Sequence, residues 1–265
     1  MSPIRLSRAA AGVIAWLGLA LMSASFIVMV LNSEQFLPRA IVRPKRPEPI
    51  SVVVLDPGHG GQDSGAMAGN FLEKDLTLDV AQRIDRLLGE RGVPTLMTRI
   101  GDAYVSLADR SALANRVKAA VFVSIHFNDG SRPVASGVET YFAAHQIRSG
   151  PAIATWLPLL QRISSEESNV ESQSLAGFIQ QELVSRTEAP NRGIKAEQFY
   201  VLANVRHPAV LVEAGFLTNK EDVTKLADAN YREQVAIAIS NGILAYREML
   251  KHRAPVQNGG ASPSS

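Results

Sequence analysis

Three short apolar runs constrain the fold of this chain more than any other feature. Val52–Leu55, Val121–Ile125 and Ala209–Val212 are each too continuous for a half-exposed strand. Such runs fit parallel strands covered on both faces. Each run also stops at a residue able to do chemistry. The first leads into Asp56-Pro-Gly-His-Gly-Gly61 and delivers His59; the second delivers His126; the third delivers Glu213, followed by Ala214-Gly215. Pro57 cannot donate to a ladder and Gly58 permits positive φ, so the first strand has to end there. In an open α/β sheet, ligands bind outside the carboxyl ends of the strands. Three polar residues delivered in this way point to one site on one edge of one sheet.

The stretches between the runs supply the helices. Val80, Ile84, Leu87 and Leu88 repeat at helical spacing over 76–89, with Glu73 just before them. A strand over 94–98 follows. Ser106 with Asp109 forms a variant capping box that opens a helix to about residue 118. The resulting β-α-β-α-β order is the sign of a doubly wound sheet. The expected class is α/β, a single domain with a mostly parallel twisted sheet flanked by helices. Further along, the sequence predicts a strand over 137–142, a helix over 175–184, a turn over 190–193, a strand over 199–202 and a closing helix over 230–250. Residues 144–173 fit no regular element. They hold Gly150-Pro151, an apolar patch over 153–160 and a polar run, and such a long connection reads as a lid insertion or a binding loop.

Ala9 to Leu31 carries no charge and is long enough to span a bilayer as a helix. Residues 1–31 are therefore expected to be an N-terminal membrane anchor preceding the domain as a transmembrane helix. A cleaved signal segment, cut near Ser23-Ala24-Ser25, is the competing reading and would give a secreted form. Residues 32–50 read as a Pro/basic linker, 51–250 as the catalytic domain and 251–265 as a Pro-, Gly- and Ser-rich tail. Apolar residues make up 46% of the chain, too many for a mainly disordered protein. A net charge of +2 gives no reason to expect nucleic acid as a partner. The chain has no cysteine, so a transition metal would have to use His, Asp or Glu.

His59, Glu73 and His126 make a plausible metal set. Two imidazoles and a carboxylate with one position open is an arrangement of catalytic zinc. Zn2+ lowers the pKa of its bound water toward roughly 7, which makes a nucleophile available at neutral pH. Glu213, on the same sheet edge, is the natural general base. Asp56 and Asn128 either orient ligands or cap turns. His207, close to Glu213 in sequence, is either a loop residue or a substrate contact.

The motifs together resemble a known family. Asp56-Pro-Gly-His-Gly-Gly61, Glu73, Ser124-Ile-His-Phe-Asn128 and Pro208-Ala-Val-Leu-Val-Glu-Ala-Gly-Phe-Leu-Thr-Asn219 are similar to the zinc-dependent N-acetylmuramoyl-L-alanine amidases of the amidase_3 type, over about residues 51–250. The resemblance implies zinc on His59, Glu73 and His126, and Glu213 as catalytic acid/base. It implies peptidoglycan as substrate, cut between N-acetylmuramic acid and L-alanine, and hence a catalytic domain facing the periplasm or cell wall. An activator protein acting on the 144–173 lid is a further expectation, as is attachment to the membrane through the N-terminal segment. Two other readings compete with this one: a zinc amidase or peptidase for another extracytoplasmic substrate, and a catalytically inert wall-binding or regulatory protein. Arg192 and Lys195 are expected on a solvated loop, with an anionic stem peptide as the alternative partner.

Overall fold

A computed structural model describes residues 8–33, 49–130, 132–146 and 169–253, with side chains of the first segment described over 16–28. The chain divides into two units, Met1–Pro47 and Glu48–Ser265. The first unit contains helix α1 (Arg8–Ser33). Trp16, Leu21, Met22 and Phe26 on it are exposed. The membrane anchor expected over 9–31 is not found: among the described residues no helix is long and apolar enough to cross a membrane. The side chains described on α1 cover a shorter stretch than the ~20 residues that a span needs.

The second unit is built on strands β1 (Val52–Pro57), β4 (Thr95–Met97), β5 (Ala120–Asn128), β6 (Val138–Phe142), β7 (Asn191–Ala196) and β8 (Ala209–Phe216). They lie in the order β4-β1-β5-β8-β6-β7, and β2 (Met67–Ala68) with β3 (Phe71–Leu72) forms a separate small hairpin. β4, β1, β5 and β8 are mutually parallel. β6 pairs antiparallel with β8, and β7 follows β6 in parallel. The mostly parallel α/β sheet expected from the sequence is therefore present, extended by two reversed edge strands.

Helices cover both faces, which is why the strands read as continuous apolar runs. On one face Val53, Leu55, Val121, Val123, Ile125, Val210 and Val212 pack under α2 (Glu73–Glu90), α4 (Val170–Thr187) and α7 (Ala229–His252). On the other, Val54, Phe122, Ala209 and Leu211 meet Ala114 of α3 (Leu107–Arg116) and Val201 and Leu202 of the short α5 (Tyr200–Ala203). Each such fully buried Val, Leu, Ile or Phe side chain contributes about 1.5–3 kcal/mol relative to exposure. A further helix, α6 (Lys220–Ala227), is capped by Asn219, whose Oδ1 accepts from the backbone N–H groups of Glu221 and Asp222.

Two local expectations are corrected. Of the turn expected over 190–193, residues 191–193 belong instead to β7, because β6 offers an open edge that β7 pairs with. The strand expected over 199–202 is instead a helical turn, Tyr200–Ala203, with Phe199 as its N-cap. Phe199, Tyr200, Val201 and Leu202 have β-type side chains, but burying Val201 and Leu202 against the sheet overrides that preference. The 144–173 insertion is described only at its ends, since 147–168 lie outside the described residues. β6 runs opposite to β8, so it leads into the insertion away from the His126–Glu213 edge. The described ends match that direction. Gln146 donates to the carbonyl of His207, and the backbone N–H of Ala209 donates to Ser172, both at the start of β8.

Candidate active site

The loop after β1 carries His59 in a left-handed conformation, with φ 60°. A non-glycine residue there is uncommon and must be held by its surroundings. Two buried arginines do the holding. Arg110 Nη1 donates to the carbonyl of Pro57 at 2.6 Å and Nη2 to that of His59 at 2.7 Å. Arg99 donates from Nε to Pro57 at 3.0 Å and from Nη2 to the carbonyl of Gly58 at 2.8 Å. Asp56 supplies the counter-charge: its Oδ1 accepts from Arg110 Nη1 at 2.7 Å, while Thr98 and Ser124 donate to the same carboxylate. Asp56 thus acts on His59 through Arg110 and the loop backbone.

His59, Glu73 and His126 come together from the loop, the start of α2 and the end of β5. One ligand-type atom from each lies within 4.8 Å of the others. Both imidazoles converge on the same oxygen, Glu73 Oε1, at 3.1 Å from His59 Nε2 and 2.9 Å from His126 Nδ1. The carboxylate is fixed from behind, since the N–H of Phe127 donates to Oε1 and the N–H of Ala66 to Oε2. Burial opposes the charge on Glu73, but the hydrogen bonds from His126 and His59 outweigh it and hold the carboxyl far below its usual range. Asp63 Oδ2 lies 2.9 Å from His59 Nδ1. Burial alone would lower the pKa of His59; its bonds to Glu73 and Asp63 win and raise it.

The surroundings of this trio fit a metal ion. The donor set is hard-to-borderline, N, N and O, from three separate segments. A carboxylate holds the far nitrogen of His59, the usual arrangement behind a metal-binding imidazole. Space around the ligands is set by missing side chains. A Cβ on Gly58 would lie 2.3 Å from the His126 ring, and one on Gly65 2.5 Å from Glu73 Oε2.

Glu213 stands beside the trio. It is the register partner of His126 on one side and of Glu139 on the other, so all three project from the same face of the sheet. Its Oε2 is enclosed and has no hydrogen-bond partner among the described residues. Burial, and then the charges of Glu73 and Glu139, push its carboxyl well above the usual range. A cleft of about 450 Å³ opens over His59, His126 and Glu213, walled by Tyr104, Tyr200 and Leu211.

The remaining candidates separate. Asn128 donates through Nδ2 to Glu139 Oε1 at 2.8 Å and supports that carboxylate rather than a ligand. His207 is not part of the site: it precedes β8, six residues from Glu213 and so on the order of 20 Å away along an extended strand. Arg192 and Lys195 are not on a solvated loop. They lie on β7 and pair with buried Glu139 at 2.7 and 2.5 Å.

Sequence reasoning missed Asp63, Arg99, Arg110 and Glu139. Two signals were available: a carboxylate four residues after a candidate His ligand, and an acid inside the otherwise uncharged strand Val138–Phe142, which has to find a partner.

Comparison with known proteins agrees with the geometry. Residues 53–245 match the Amidase_3 family, N-acetylmuramoyl-L-alanine amidase. The uncharacterized protein YqiI of Bacillus subtilis is 38% identical over 75% of this chain and 87% of its own length. The N-acetylmuramoyl-L-alanine amidase LytC of the same organism is 33% identical over 76% of this chain, which spans 36% of LytC. A crystal structure of N-acetylmuramoyl-L-alanine amidase from Clostridium difficile 630 superposes with a TM-score of 0.63 at 32% identity, over 78% of this chain and all of that one. Sequence match and fold together place this chain in the Amidase_3 family of N-acetylmuramoyl-L-alanine amidases.

Proposed function

We propose that this chain hydrolyses the amide bond between N-acetylmuramic acid and L-alanine in peptidoglycan, with zinc held by His59, Glu73 and His126 and Glu213 as general base. The observation that carries the reading is the convergence of the three ligand-type atoms within 4.8 Å, with an unpartnered carboxylate oxygen on the neighbouring strand. When bound, zinc supplies Lewis-acid polarisation and water activation at neutral pH.

The protein's own groups do the rest. Asp63 accepts from Nδ1 of His59, fixing the tautomer that leaves Nε2 free for the ion. The backbone N–H groups of Phe127 and Ala66 keep Glu73 ionised and oriented. Glu213 Oε2 has no competing donor, so it can take a proton from the attacking water and pass it to the leaving amine. The aromatic and apolar walls of the cleft, Tyr104, Tyr200 and Leu211, exclude bulk water and strengthen these interactions. The substrate lies outside the cytoplasmic membrane, and the catalytic unit is proposed to work there.

The test is digestion of purified sacculi by zinc-loaded and chelator-treated protein, followed by analysis of the released ends. New N-terminal L-alanine that depends on zinc supports the reading. Intact sacculi, or peptides cut elsewhere in the stem, would refute it in favour of another amide substrate.

A further inference from the structure

A second cavity, of about 660 Å³, lies at the edge of the sheet beside the candidate site and shares Glu139 and its support Asn128 with it. Its walls come from the end of β5 and the turn after it, from β6 and from β7, with Arg132, Glu139, Tyr141, Arg192 and Lys195 among them. Its charges are unbalanced. Arg132, Arg192 and Lys195 face Asp129 and Glu139, which leaves one net positive charge.

The donors are not all used. Arg192 spends only Nε on Glu139, and its guanidinium lies 4.8 Å from the centroid of the Phe216 ring. Its two Nη groups have no hydrogen-bond partner among the described residues. Lys195 is held by the same carboxylate and sits 5.5 Å from the Tyr141 ring centroid. Glu139 is therefore an anchor: it is 1% exposed and holds two cations at the cavity wall, with Asn128 and Tyr141 occupying its other oxygen. A planar guanidinium with both terminal nitrogens free, backed by an aromatic ring, is a receptor for a carboxylate.

Position decides which carboxylate. Glu139 stands directly across the register from Glu213, and β7 is the next strand out. At ~4.8 Å per strand, the Arg192–Lys195 pair lies on the order of 10 Å from Glu213. An extended peptide advances about 3.4 Å per residue. A carboxylate on the second residue beyond a bond cut beside Glu213 would reach these cations, whereas one on the first residue would fall short. We propose that this cavity binds the peptide side of the substrate by recognising a free carboxylate on the second residue of the stem, with Arg192 and Arg132 as the specificity-determining cations. The inference rests on the amidase reading for the direction in which the peptide leaves the site.

The test is a binding measurement that needs no turnover. The full chain is titrated by calorimetry with L-alanyl-D-glutamate whose γ-carboxyl is capped as a methylamide, as the next stem residue would cap it, and with the same compound also amidated at the α-carboxyl. The free carboxylate should bind about tenfold tighter or more, the usual scale of a charge-assisted pair. Arg192→Gln and Arg132→Gln should each bring that ratio below about threefold, with binding of the amidated peptide unchanged. Arg132 is exposed, so its variant keeps the test valid if Arg192→Gln disturbs the Glu139 anchor. Equal binding of the two peptides by the parent would overturn the proposal, as would an equal loss for both peptides in both variants. Digestion of sacculi by the same preparation separates the two claims. Discrimination without cleavage refutes only the amidase reading; cleavage without discrimination refutes only the cavity.

Discussion

Gly65 and Gly69 offer a matched pair of substitutions that isolates the candidate metal site. Both have left-handed backbones, with φ 64° and 58°. Alanine costs about 1–2 kcal/mol in that region at either position. What the new methyl meets differs completely. At Gly69 there is nothing within 4 Å. At Gly65 a Cβ would lie 2.5 Å from Glu73 Oε2, 2.6 Å from His59 Cδ2 and 2.8 Å from Glu73 Cβ. Ordinary contact needs roughly 3.5 Å, so Glu73 and His59 must each retreat by about 1 Å. Ligand distances in a metal site tolerate only about 0.2 Å. Gly69→Ala should therefore lower the melting temperature by a few degrees, at roughly 2–4 °C per kcal/mol for a domain of this size, and keep zinc affinity. Gly65→Ala should show at least the same melting shift and bind zinc at least tenfold more weakly. Competition with a chromophoric chelator measures the affinity, and thermal unfolding of the metal-free proteins measures the strain. If Gly65→Ala binds zinc within about twofold of Gly69→Ala, the three residues are not the metal ligands.

Three further outcomes follow from the site. Glu213→Gln should fold and keep zinc, yet lose about 10²–10⁴-fold in turnover; activity above about a tenth of the parent's would remove Glu213 from the base role. Asp63→Asn replaces the charged partner of His59 Nδ1 and should weaken zinc binding about tenfold, with an unchanged constant showing that the contact does not orient the ligand. Glu139 sets a pH dependence. Burial works to raise its pKa, but bonds from Lys195, Tyr141 and Arg192 outweigh it, so the folded pKa lies below the ordinary 4.5. The stability this pairing contributes is present above the ordinary value and lost as pH falls through the folded one. Urea unfolding from about pH 6 down to about pH 3 should therefore show a steeper loss for the parent than for Glu139→Gln, and parallel curves would refute the assignment.

The parts of this protein that were legible in its sequence are those written in contiguous residues. A buried parallel strand has to be an apolar run, so β1, β5 and β8 and the residues they deliver could be read directly. The supports could not. Arg110 and Arg99 act on carbonyls of residues 57–59 from more than forty positions away, and nothing near them in sequence announces that contact. The direction of β6 was equally hidden, since an apolar strand looks the same run either way. That direction brings Glu139 across from Glu213. It also turns Arg192 and Lys195 from apparent loop residues into partners of a buried acid. Short elements failed for a related reason: α5 is one turn long, and the burial of Val201 and Leu202 outweighs any local preference.

The acids at this sheet edge are compensated unequally, and the inequality is informative. Glu139 has two cations, Arg192 and Lys195. Glu73 has two imidazoles and two backbone N–H groups. Glu213 has neither among the described residues, although its Oε2 is enclosed and both other carboxylates raise its pKa. Burying an unpaired carboxylate is expensive, so these surroundings favour the protonated form and a nearby positive charge would favour the ionised one. A divalent ion on His59, Glu73 and His126 would be that charge, since His126 is the register partner of Glu213 on the adjacent strand. Ion binding would then favour the ionised form of Glu213, the form that can accept a proton. A permanent Arg or Lys beside Glu213 would stabilise the metal-free fold, but it would also repel the ion and leave the base too weak to work.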